Sequence, residues 1–113
     1  MLDNNIVDST IIDSLKEIMG DAFGVLISTF VDDTGKLVHS LSELQKQNDL
    51  EVFTRNAHSI KSSSANLGAL NLSSIAASLE AQGKAGDISN TTEELSNIVD
   101  EYEKVCVELN KIS

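Results

Sequence analysis

Apolar residues recur at spacings of three and four along most of this chain, and no proline interrupts them in 113 residues. That spacing gathers side chains on one face of a helix. With only six glycines as well, the chain has few points at which helices must stop. Five helical segments are predicted. The first is short, capped by Asp8 or Ser9 and ended by Gly20, with Ile11, Ile12, Leu15, Ile18 and Met19 as its apolar side. The second runs from near Asp21 to about Gln47 on Phe23, Leu26, Ile27, Phe30, Leu37, Leu41 and Leu44. Thr34 continues that stripe, and Gly35 marks a bend or a close helix contact. Asn48-Asp49 forms a turn and cap before the third segment, from about Leu50 to Leu67. Its seam of Leu50, Phe53, Ala57, Ile60, Ser64 and Leu67 suits packing among other helices, and Gly68 is its natural stop. The fourth starts at Leu70 or Asn71 and reaches about Ala81, with Leu72, Ile75, Ala76 and Leu79 inward and Gly83 closing it. The last opens with Asn90 or Thr91 as cap and a capping box to Glu93 or Glu94. Its stripe is Leu95, Ile98, Tyr102, Val105, Leu109 and Ile112, widened by Val99 and Cys106.

Four long amphipathic helices on short connections predict an all-α fold: an antiparallel up-down four-helix bundle, with the short N-terminal helix covering one end. The length suits a single domain over residues 1–113, expected to be free-standing and monomeric. The one cysteine, Cys106, has no partner for an internal disulfide and reads as a small core residue. Aromatic residues are 4%, so the core is aliphatic and a large aromatic-lined ligand pocket is not expected. A formal charge of −10 argues against nucleic acid and anionic membrane surfaces, which are bound by lysine and arginine. No apolar run approaches the roughly 20 residues of a membrane span, and the first residues lack the pattern of a signal peptide. A cytoplasmic location is expected.

The unusual residue choices lie in the third helix. His58 falls ~130° from the centre of the apolar stripe at ~100° per residue, so its ring should point outward. Thr54, Arg55, Lys61, Ser62 and Ala65 share its neighbourhood. At neutral pH an exposed imidazole is mostly uncharged and offers a ring nitrogen lone pair as nucleophile. Lys61, one turn along, can offset the charge that a phosphoryl group brings, and Arg55, the only arginine, adds to it from the other side. Ser62, Ser63, Ser64 and Ala65 are small and leave room for a partner to bring its own reactive group close. No Walker A sequence or kinase-type glycine-rich loop is present, so His58 reads as a carrier and a partner would supply the metal and the in-line geometry. Metal binding at His58 is disfavoured, because His39 is on another helix and no Cys or Asp set has ligand spacing. His39 itself reads as a surface residue.

At these residues the chain resembles the histidine-containing phosphotransfer (HPt) domain of bacterial phosphorelays. The family pattern His-x-Leu/Ile-Lys-Gly-Ser/Ala-Ser/Ala-x-x-Leu-Gly is met by His58, Ile60, Lys61, Ser63, Ser64, Leu67 and Gly68. Leu79-Glu80 followed by Gly83-Lys84, and the upstream Phe30, Asp33-Thr34 and Leu37 to Leu41, also match. The resemblance implies that His58 accepts a phosphoryl group from a receiver-domain aspartate, typically of a hybrid sensor kinase, and passes it to the receiver of a response regulator. It implies that Lys61 stabilises the phosphorylated state; from their places beside His58, Arg55, Ser62 and Ala65 are expected to meet the partner, and the chain is expected to need no cofactor of its own, with Mg2+ supplied by the partner receiver. One position departs: Ser62 stands where the family usually has glycine, and partner range is the property it bears on. Glu80 and Gln82 lie on the fourth helix, where a polar side chain orienting the imidazole and a solvated helix end are equally good readings; neither is assigned to the site. The alternative function is a docking module that binds receivers or other helical surfaces without carrying phosphate.

Overall fold

The computed structural model describes residues 2–112. Five α-helices follow one another: α1 (Ser9–Met19), α2 (Phe23–Gln47), α3 (Leu50–Asn66), α4 (Leu70–Ala85) and α5 (Thr92–Asn110), with one 3-10 turn at Gly20–Ala22 between α1 and α2. The four long helices form the bundle. α3 packs on α2 and α4, and α5 closes the ring against α2 and α4. Connections of a few residues between helices ~25 Å or more in length force neighbours to run antiparallel. The molecule is elongated along the helices, 41 × 22 × 18 Å.

Each helix ends where its local chemistry requires. The Asp8 carboxylate accepts from the N–H groups of Thr10 and Ile11, so it caps α1 as expected. Asn48 takes the left-handed conformation (φ 53°) that ends α2, and Asp49 then caps α3 by accepting from Val52 N. Gly68 turns the corner into α4 with φ 79°. Its carbonyl accepts from Asp8 N at 2.9 Å, so the N-terminal segment is tied down over the α3–α4 corner and Val7 is fully buried.

The stripes read from the sequence form the core. Phe53, Ala57, Ile60 and Ser64 of α3 are inaccessible, and with them Leu41, Leu72, Leu79, Ile98, Val105 and Leu109. Removing a large side chain here, as in Phe53→Ala, costs about 3–5 kcal/mol from lost transfer energy plus the cavity left behind. Ile18, read as apolar side, is instead 80% exposed, because α1 covers only one end of the bundle and buries Ile12. Gly35 marks a close contact: an added Cβ would come within 2.5 Å of the Tyr102 hydroxyl of α5, which donates to Val31 O.

Two helix ends differ from the expectation. Gly83 does not close α4; the helix runs on to Ala85 and stops at Gly86, which adopts φ 85°. Gly83 is needed within the helix, where an added Cβ would collide with Thr54 Oγ1 of α3. No capping box forms at α5. Thr91 occupies the cap position, but its buried hydroxyl donates to Ile88 O and accepts from Gln45 Nε2 of α2, which leaves it no part in capping.

Candidate functional site

The close approach at Gly83 sets the register of α3 against α4. In an antiparallel pair, contact of Thr54 with Gly83 brings the next turns together, His58 opposite Glu80. Further along, Ser73 Oγ of α4 donates to the Lys61 carbonyl of α3 at 2.9 Å, pinning the same register. The site is therefore built on two helices locked by a glycine contact and a hydrogen bond.

His58 is 58% exposed, as its place off the stripe predicts. Its Nδ1 lies 2.6 Å from Glu80 Oε2, and Lys61 Nζ donates to Glu80 Oε1, also at 2.6 Å. Lys84 Nζ, one turn further along α4, stands 3.4 Å from Oε2. The Glu80 side chain is only 6% exposed. Its carboxyl is nonetheless held down at about 2, chiefly by the hydrogen bond from Lys61. Burial works against that, and the contacts with His58 and Lys84 work with it. Glu80 is thus a carboxylate throughout the physiological range.

That charge state decides the tautomer of the imidazole. An ionised carboxylate only accepts hydrogen bonds, so in the neutral ring Nδ1 carries the proton and donates to Glu80. Nε2 is left with the lone pair, on a side chain that is largely exposed. Glu80 thereby fixes which nitrogen keeps its lone pair free and how the ring is turned, while Lys61 sits on the far oxygen of the same carboxylate.

The structure brings His58 and Lys61 together through Glu80, whose place in the site the sequence alone does not decide. Lys84-Glu80 spacing of four and the Gly83 one turn on were the available signals. They become informative only once Thr54 is known to face Gly83. Gln82, weighed beside Glu80, points elsewhere: its amide donates to Glu94 Oε1 of α5 at 2.7 Å. Arg55, Ser62 and Ala65 are all exposed on the His58 side of α3. His39 is exposed on α2 and meets the edge of the Tyr102 ring of α5. Cys106 is partly buried against the core. Among the described residues no group of three or more His, Cys, Asp or Glu side chains has the geometry to hold a metal ion, and no helix is long and apolar enough to cross a membrane.

Beside this face, where α1, α2 and α3 meet, runs a groove of about 470 Å³. Leu15, Met19, Leu26 and Phe30 make it apolar, and Ser63 and Asn66 of α3 form its wall toward His58.

A helical bundle with a reachable, carboxylate-oriented histidine and an adjacent lysine defines a class, and the sequence agrees with it. The family model of the Hpt domain matches residues 25–108, and the chain belongs to that family. Its role is accordingly histidine phosphotransfer in a phosphorelay. Among solved structures it is similar to the crystal structure of histidine-containing phosphotransfer protein B (HptB) from Pseudomonas aeruginosa PAO1. The two share 27% sequence identity with a TM-score of 0.89, over 94% of this chain and 92% of that one. No curated protein matches the chain.

Proposed function

We propose that His58 is the residue that carries the phosphoryl group, taking it from a receiver-domain aspartyl phosphate and giving it to another receiver. The 2.6 Å contact between Glu80 and Nδ1 carries this reading, because it prepares one ring nitrogen as nucleophile and serves no packing need. In the forward step the Nε2 lone pair forms a bond to phosphorus, the phosphorus–oxygen bond to the aspartate breaks, and the aspartate leaves as a carboxylate. The ring, now bonded at Nε2 and still protonated at Nδ1, is cationic, and the Glu80 carboxylate stabilises it. Lys61 meets charge on the phosphoryl oxygens. The reverse step moves the same group to the next aspartate. Mg2+ belongs to the receiver's side of the complex in this scheme.

The docking face consists of Arg55, Ser62 and Ala65 around His58, continued by the apolar groove past Ser63 and Asn66. Arg55, Lys61 and Lys84 give this face a cationic character on a chain of net charge −10, suited to an acidic receiver site. Ser62, beside the imidazole, is the residue expected to tune partner range.

The test uses phosphoramidate, a small donor that needs no docking face, alongside a panel of phosphorylated receiver domains. Wild type should take an acid-labile, base-stable label from phosphoramidate and from at least one receiver, and His58→Gln should take none. Equal labelling of both proteins, or of neither, rejects the acceptor role. Receiver binding with no transfer in either direction would favour the docking-module alternative.

A further inference from the structure

Glu80 has more cationic partners than one carboxylate needs. Lys61 holds Oε1 at 2.6 Å, while Lys84 stands off at 3.4 Å from Oε2, the oxygen that His58 already occupies. The Lys84 side chain is 67% exposed and that of Lys61 34%, so Lys84 is a loosely held cation on Glu80's own helix. In the resting site its contribution is small, since His58 already holds Oε2 and Lys61 holds Oε1.

The demand changes once the imidazole carries phosphate. A phosphoryl group brings about −1.5 to −2 charges. Lys61, one turn from His58 on the same helix, is drawn toward it. If Lys61 turns away, Glu80 keeps a buried carboxylate with an orphaned oxygen beside a second anion, a costly arrangement. Repelled, the carboxylate would lose its hold on Nδ1. Lys84 is placed to offset this: its ammonium stands 3.4 Å from Oε2 and, by closing on the carboxylate, supplies the countercharge that Lys61 withdraws.

We propose that Lys84 is a positioning residue that takes over Glu80 when phosphate on His58 draws Lys61 away, so that the ring stays oriented in the phosphorylated state. This rests on His58 being the acceptor. Lys84 does not touch the phosphoryl group; it acts through Glu80, and no covalent bond changes.

The experiment compares wild type, Lys84→Gln, Lys84→Arg and Lys61→Gln, each labelled with phosphoramidate, with His58→Gln as control. Lys84→Gln should leave the melting temperature and the His58 ring 15N signals of the unlabelled protein unchanged. After labelling it should shorten the phosphohistidine lifetime roughly two- to fivefold, the scale of one partly exposed ion pair. It should also move the phosphorylated ring's Nδ1 signal away from its wild-type position. Lys84→Arg should restore both. Lys61→Gln should disturb the ring in both states. A Lys84→Gln lifetime and ring signal equal to wild type overturn the exchange while leaving the acceptor role intact. A Lys84→Gln effect of equal size in both states overturns it too, since that is plain screening. Absence of label that depends on His58 overturns the acceptor role and the exchange together.

Discussion

Three glutamates are nearly inaccessible among the described residues, Glu80, Glu101 and Glu108, and the surroundings of Glu80 and Glu101 push them in opposite directions. Glu80 of α4 is surrounded by Lys61, His58 and Lys84, and its carboxyl is held at about 2. Glu101 of α5 is 8% exposed, with Oε2 buried and unpartnered. Burial raises its pKa, nearby Asp3 adds to the rise, and Lys104 offsets only part of it. Burial is similar in the two places, so burial is not what distinguishes them. The difference is partners. A bundle of this size tolerates a buried acid as a cost at one helix and turns one into an oriented group at another, where each oxygen is provided for.

The largest way to break the contrast is Glu80→Ala. It should leave the bundle folded but slow phosphorylation of His58 roughly 10- to 100-fold, the scale of misplacing a reacting group by about 1 Å. Labelling rates with phosphoramidate check it; an unchanged rate would put Glu80 on a par with Glu101 and remove the role assigned to it.

Next is Gly83→Ala, which attacks the contact that delivers Glu80 to His58. It should destabilise the protein by about 1–3 kcal/mol from overpacking against Thr54. Adding Thr54→Ala should restore part of the loss by removing Oγ1. Urea denaturation of the single and double variants measures both.

A third test reads the two acids through pH. Because the folded pKa of Glu80 lies below its ordinary 4.5, its stabilising contribution is complete above that value and is lost as pH falls toward about 2. Glu80→Gln should flatten the urea midpoint over that window. Parallel curves for wild type and variant would deny the ionised pairing.

The smallest effect is expected at Glu101→Gln. With a raised folded pKa, Glu101 costs stability at neutral pH, and that cost fades as acid protonates it. The variant should therefore be more stable than wild type at pH 7 by up to about 1 kcal/mol. Its advantage should shrink as pH falls, seen as converging thermal midpoints.

Much of this was readable from the residues. The stripes of α2, α3 and α5 are core in the structure because a period of three and four has one physical outcome in a bundle. His58 lies off its stripe and is exposed for the same reason. Glu80 was not readable, and the cause is specific. Its role depends on which turn of α4 faces which turn of α3, and that register is set by Thr54 against Gly83, a contact between residues far apart in the chain. Read locally, Gly83 is a helix stop, which cut α4 short and put Glu80 at a solvated end. The Thr91 cap failed similarly: Gln45, from another helix, took the hydroxyl that local spacing reserved for α5.

One feature of the α3–α4 pair reaches past the chemistry. His58 and Glu80 are 22 residues apart, and Lys61 and Lys84 lie on the same two helices across the tight corner at Gly68. The histidine and the groups that orient it are thus confined to one helical hairpin. α1 and α2, which line the groove beside it, contribute no atom to the histidine's own partners. Substitutions there can reshape the groove without touching the groups that orient the histidine's ring.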